Sequence, residues 1–129
     1  MSTRIEQLLL ELFSSLGISP LKLNEDGHCA LVIDENLLLD FELKLEQEML
    51  VMTSLIGKVP SSNSADLLSK LMQLNMALYK DLGMCLSIEG HTNTIVLTLC
   101  ITSDNKTVFD IENALSLFLT QTDQCRHLL

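Results

Sequence analysis

The segment from Leu67 to Tyr79 constrains the fold of this chain most, because its apolar residues cover more of a helix than one core can use. Their spacing predicts a helix. On that helix they span an arc of about 200°, whereas a helix that packs on one side needs roughly 100°. The simplest partner for the surplus is the same helix of a second copy. We therefore predict a homodimer, with an interface formed by Leu67, Leu71, Leu74, Asn75 and Leu78.

Asn75 is a polar residue inside this apolar arc. A buried side-chain amide must find hydrogen-bond partners. It can find them across the dimer, where it would fix how the two helices register, or it can turn toward the backbone of its own chain. The sequence leaves both interpretations open.

Length and composition favour a single domain over residues 1–129. Apolar residues make up 47% of the chain, but the longest uninterrupted apolar run is far too short to span a bilayer. Glu6 and Glu11 interrupt the first apolar stretch, which argues against a secretory signal. A net charge of −9 opposes binding to nucleic acid. We expect a cytoplasmic protein that binds neither membrane nor nucleic acid, with its four cysteines reduced and structural.

Hydrophobic periodicity predicts eight elements in the order αβββαββα. This is an α+β fold with a twisted antiparallel sheet and three helices. The first helix follows a capping box formed by Thr3 and Glu6, and Gly17 ends it. A turn is predicted at Asn24 to Gly27. The predicted strands are His28 to Asp34, Leu37 to Leu45, Met49 to Ile56, Met84 to Glu89 and Thr94 to Thr102.

No spacing typical of a catalytic motif or a metal site occurs in the chain. His28 adjoins Cys29, but adjacent strand residues face opposite sides, so the two would diverge. We expect no catalytic residue, no metal and no cofactor. An alternative remains open, in which a small enzyme or ligand-binding domain uses His28, Cys85 or Cys100.

Some apolar residues lie off the predicted core faces, among them Leu10, Leu38 and Leu117. Single exposed leucines are common in monomers. Together with several methionines, whose side chains adapt to imperfect fits, they favour a binding surface for an apolar peptide.

Two strings of this sequence resemble class I type III secretion chaperones, the Tir chaperone or CesT-like family. One is His28 to Asp34, which resembles the first-strand motif. The other runs from Leu74 to Leu78 through Gly83 to the turn at Glu89 and Gly90, and on to the strand Ile95 to Leu99. The likeness extends over nearly the whole chain.

The resemblance implies a bacterial cytoplasmic homodimer that works without catalysis. It implies binding to the N-terminal chaperone-binding segment of a secreted effector, which is held in extended form and kept soluble and export-competent. The ATPase of the secretion apparatus is a further candidate partner. A regulatory protein of the same fold, which sequesters a secretion regulator, is the alternative. By this resemblance the effector-binding surface comes from the first helix and the first three strands, with candidates Leu8, Leu12, Leu31, Ile33, Leu39, Phe41, Met49 and Val51.

Overall fold

The computed structural model describes residues 3–17, 27–33, 37–62 and 64–129. Its elements follow the predicted order αβββαββα, so the predicted fold class is confirmed. Residues 24–26 of the predicted turn lie outside the described residues. The elements are α1 (Arg4–Ser15), β1 (His28–Ile33), β2 (Leu37–Lys44), β3 (Met49–Lys58), α2 (Ser64–Leu82), β4 (Met84–Glu89), β5 (Thr94–Thr102) and α3 (Val108–Arg126).

The five strands form one antiparallel sheet in the order β1-β2-β3-β5-β4. Because side chains alternate along a strand, the sheet has two distinct faces. The inner face, with Leu39, Phe41, Leu50, Met52 and Leu97, is buried in one core together with residues from all three helices. On the opposite face, called the outer face below, most side chains are exposed or half-buried.

The start of α1 is fixed by its own cap and by the sheet. The hydroxyl of Thr3 accepts the backbone N–H of Glu6 at 3.2 Å, and the carboxylate of Glu6 accepts the N–H of Thr3 at 3.4 Å, which confirms the predicted capping box. Glu48, in the turn between β2 and β3, accepts the N–H of Ile5 at 3.2 Å and the hydroxyl of Ser103 at 2.8 Å. One carboxylate therefore joins the first helix, a sheet turn and the loop that leads to α3.

A buried pair of hydroxyl groups holds α3 against β3. The hydroxyl oxygens of Ser54 and Thr122 lie 2.7 Å apart, and Thr122 also donates to the carbonyl of Phe118 at 2.9 Å. Both residues are fully buried. Since the Thr122 hydrogen is used on α3, Ser54 donates to Thr122.

We expect Thr122→Val to lower the free energy of unfolding by about 1–3 kcal/mol, because the Ser54 hydroxyl is left buried without a partner. Urea titration at a fixed protein concentration measures the loss. Thr120→Val is the matched control, since the exposed Thr120 hydroxyl makes the same kind of bond to the Ser116 carbonyl. Equal effects of the two substitutions would contradict the importance of the buried pair. Adding Ser54→Ala to Thr122→Val should recover part of the loss.

Candidate partner-binding surfaces

The helix α2 divides its apolar arc between two sides. Leu71 and Leu78 belong to the buried core. Met72, Met76 and Tyr79 are 76%, 65% and 64% exposed. Their spacing of four and then three residues places these three side chains in one stripe along the helix. This exposed stripe, rather than Leu71 and Leu78, is the apolar surface that α2 leaves for a partner.

The remaining residues of the predicted interface, Leu67, Leu74 and Asn75, are half-buried. Asn75 accepts the backbone N–H of Leu86 through its side-chain oxygen at 2.6 Å. Of the two interpretations left open by the sequence, the structure shows the bond within the same chain. Leu86 lies on β4, which is an edge strand of the sheet. The amide therefore occupies an outward-pointing backbone donor that would otherwise be open to another strand.

A shallow cavity of about 200 Å³ lies between α2 and β4. Met72 contributes both to this cavity and to the exposed stripe, so the two form one continuous apolar surface. Ile88, near the end of β4, is also exposed. The cavity is lined by Leu68, Leu71, Met72, Asn75, Leu86, Ser87, Ile88 and Ile95.

An apolar row crosses the outer face of the sheet at one end. Val32 on β1 pairs with Leu38 on β2, and Leu55 on β3 pairs with Val96 on β5. The register between β2 and β3, continued by one residue, puts Leu38 opposite Leu55. Val32 is 71% exposed, and Leu38 and Leu55 are exposed as well. With strands about 4.8 Å apart, this outer row is roughly 14 Å long.

The other end of the outer face is charged. The Nδ1 atom of His28 lies 3.2 Å from the carboxylate of Asp40, and its Nε2 atom lies 3.7 Å from the carboxylate of Glu42. Lys44 pairs with Glu42 at 3.0 Å. Ala30, which pairs with Asp40 and lies between His28 and Val32 on the same face, is exposed. The outer face at β1 therefore changes from charged at His28 to apolar at Val32.

The side of β1 that points away from β2 can be deduced from its hydrogen bonds. The N–H of Leu43 donates to the carbonyl of Gly27 at 2.9 Å, so this pair is hydrogen-bonded across the strands. In an antiparallel ladder such pairs alternate with pairs whose backbone groups point away. His28, Ala30 and Val32 therefore direct their backbone groups away from β2. In the described part of the chain, no strand pairs with β1 on that side.

The structure places most of the predicted effector-binding residues inside the protein. Met49 and Val51 lie on the outer face, where Met49 is half-buried and Val51 is buried. The side chain of Ile33 lies outside the described residues. The others are in the core, where they have no surface to offer a partner unless the fold opens: Leu8, Leu12, Leu31, Leu39 and Phe41.

The outer row contains residues that the sequence prediction missed. Val32 and Leu55 occupy the strand positions that alternate with the core residues, and those positions are also apolar. In a strand whose one face is solvated, these positions are usually polar. Apolar residues on both faces of a strand were therefore the signal that could have revealed the outer row. In the sequence, this signal was identified only at Leu38.

The residues of the enzymatic alternative are not brought together. His28 and Cys100 lie in one cross-strand row, separated by Glu42 and Val51, which is about 14 Å. Cys85 and Cys100 are exposed, so the expectation of packed thiols fits only the buried Cys29 and Cys125. Partial desolvation, with a smaller contribution from Cys85, raises the pKa of Cys100, which keeps it a thiol at neutral pH. These three residues form no pair of nucleophile and base.

Chains from solved chaperone complexes are among the structures similar to this chain. A chain of the HopA1–SchA chaperone–effector complex is 18% identical, with a TM-score of 0.81, covering 96% of this chain and 94% of that one. A chain of the ExsC–ExsE complex is 21% identical, with a TM-score of 0.82 and coverages of 98% and 93%. The Yersinia pestis type III secretion chaperone SycH, in complex with a fragment of YscM2, is 19% identical, with a TM-score of 0.72 and coverages of 94% and 98%. This chain therefore shares its fold with the type III secretion chaperone SycH and with chains of the two other complexes.

The family model agrees over most of the sequence. The Tir chaperone protein (CesT) family matches residues 7–126, and the chain belongs to this family. No curated protein sequence matches the chain significantly. Among the described residues, no helix is long and apolar enough to cross a bilayer.

Proposed function

We propose that this protein is a type III secretion chaperone of the bacterial cytoplasm. It binds the N-terminal segment of a cognate effector in extended form, and it keeps that effector soluble and competent for export. The family match over residues 7–126 supports this function. So do the complexes of the similar chains, one of which is described as a chaperone–effector complex.

We further propose that the working unit is a homodimer through the exposed stripe of Met72, Met76 and Tyr79. A stripe this apolar and this exposed on a well-formed helix is unusual for a monomer. A two-fold axis across the stripe pairs each helix with its own copy, so a single surface serves both protomers. The cavity between α2 and β4 extends the apolar surface and offers a recess for side chains of the partner.

The observation that carries the proposed binding mode is the difference between the two sheet edges. Asn75 occupies the outward-pointing N–H of Leu86 on β4, whereas the outward backbone groups of β1 face no described strand. An extended polypeptide can therefore add to the sheet at β1, with its main chain bonded to the edge. The outer row beginning at Val32 lies beside that edge and supplies apolar contact.

Binding of this kind needs no covalent chemistry. The bound segment becomes ordered as it binds, so part of the gross contact energy offsets the lost conformational entropy. The chaperone holds a conformation that the free effector would bury within itself or lose to aggregation, and mass action sets how much is held. The ATPase of the secretion apparatus is the partner to which such a complex would be delivered.

Co-expression with the effector encoded beside this gene tests the proposal. We expect a soluble complex with two chaperone chains per effector, measured by light scattering and native mass spectrometry. Recovery of the chaperone alone, with the intact effector present, would contradict it. If a secretion regulator co-purifies in place of an exported protein, the regulatory alternative is the correct one.

A further inference from the structure

Ala30 leaves a gap in the outer face, directly beside the edge of β1 that points away from β2. It is the smallest side chain in its cross-strand row, and its neighbour in that row is Asp40 on β2. On either side along β1 stand the larger side chains of His28 and Val32. Among the described residues, a side chain from a segment added to β1 therefore meets little obstruction over Ala30 on its way to Asp40.

The distance across this gap selects the length of the side chain that can cross it. A residue opposite Ala30 on an added strand is two strand spacings from Asp40, which is about 10 Å between backbones. Lysine and arginine carry their charge on long apolar stems that can lie over a small residue. Shorter polar side chains end before they reach the carboxylate.

The charges at this end of the sheet favour a cation there. Glu42 already has Lys44 at 3.0 Å. Asp40 is in contact with His28 at 3.2 Å, and no lysine or arginine of the described residues forms a salt bridge with it. The side chain of Asp40 is about one-third exposed, so a salt bridge to it would be partly shielded from solvent. The net charge of −9 also attracts basic segments over longer distances.

We propose that Asp40 selects partner segments that place a lysine or arginine opposite Ala30. The same segment carries an apolar residue two positions away, opposite Val32, where it extends the outer row. The inference rests on the proposed function, because it names the chemistry of the segment that adds to β1. It gives the β1 edge a preference for segments with an apolar residue and a cation at alternate positions. Main-chain pairing alone does not provide such a preference.

A phage-displayed library of random twelve-residue linear peptides, selected on the full chain, tests this preference. We expect enrichment of peptides with an apolar residue two positions from a lysine or arginine. For a synthetic peptide of that pattern, fluorescence anisotropy should show about fivefold to tenfold weaker binding to Asp40→Asn, and the difference should shrink at high salt. Ala30→Leu keeps the carboxylate but fills the gap, and it should weaken binding to a similar degree.

Asp104→Asn is the matched control, since it removes the same charge from an exposed loop remote from β1. Its effect should stay within about twofold, as expected for a long-range, screened contribution. The proposal would be overturned if the enriched peptides lacked the cation or if no peptide were enriched. Equal effects of Asp40→Asn and Asp104→Asn would overturn it as well. If the neighbouring effector binds wild type and Asp40→Asn equally well, the charge preference fails and the chaperone function stands. If it binds neither, the function itself fails.

Discussion

Replacing Met76 by glutamate is expected to convert the protein from a dimer into a folded monomer. Met76 lies in the middle of the exposed stripe of α2 and is 65% exposed, so the change removes little from the core of one chain. In the proposed dimer it buries two carboxylates close to the two-fold axis, without partners. We expect dimerisation to weaken by about a hundredfold or more. Light scattering at micromolar concentration should give half the wild-type mass, with an unchanged circular dichroism spectrum.

Ala77→Glu is the control for this change, because it adds the same charge to an exposed position one residue away and about 100° around the helix. It should remain dimeric. Leu71→Glu is not an equivalent test, since Leu71 belongs to the core and its replacement unfolds the monomer. A stable dimer of Met76→Glu, or a wild-type protein of single-subunit mass, would contradict the proposed interface.

Leu38→Glu is expected to weaken effector binding strongly while leaving the fold intact. Leu38 is exposed on the outer face, between Val32 and Leu55 in the outer row. A carboxylate there interrupts the outer row directly beside Val32, the residue of the row that lies nearest to a segment added at β1. We expect the affinity for the effector to fall by roughly tenfold or more. The free energy of unfolding should change by less than about 1 kcal/mol, because the site is exposed.

The comparison for Leu38→Glu is Thr102→Glu, at an exposed position on the same face but at the opposite end of the sheet. Thr102→Glu should bind the effector as wild type does. Isothermal titration calorimetry with the co-expressed effector segment compares the two variants, and urea titration checks their folding. Retained affinity in Leu38→Glu would show that the effector uses another surface.

The sequence predicted the helix α2 and the width of its apolar arc, but not how the arc is divided. Apolar periodicity predicts that a side chain is buried. It does not show whether the side chain packs in the core of its own chain or against a partner. Leu71 and Met72 are adjacent, and both lie in the arc. Only the position of the sheet assigns Leu71 to the core and leaves Met72 exposed. The role of Asn75 depends likewise on β4, which follows in the chain and folds back beneath the helix.

The strand order explains why the outer row could not be assembled from the sequence. Alternation along β2 identified the face that contains Leu39 and Phe41 correctly, and the structure buries both. The sequence could not show which strands neighbour each other, because β5 inserts between β3 and β4. Without that order, the row of Val32, Leu38, Leu55 and Val96 is four scattered residues on four strands. The gap at Ala30 depends on the same pairing.

In the proposed binding mode the sheet is extended at its β1 end, whereas Asn75 blocks the outward N–H of Leu86 at the β4 end. In the proposed dimer both blocked ends lie at the centre, beside the paired helices, and the two receptive ends point away from each other. The sheets and the helix pair together measure on the order of 50 Å between those ends. A single effector chain that reached both would need at least about 15 residues between its two docking stretches. The minimum length of an effector segment that binds both β1 edges therefore depends on Asn75, because its amide leaves β1 as the receptive edge.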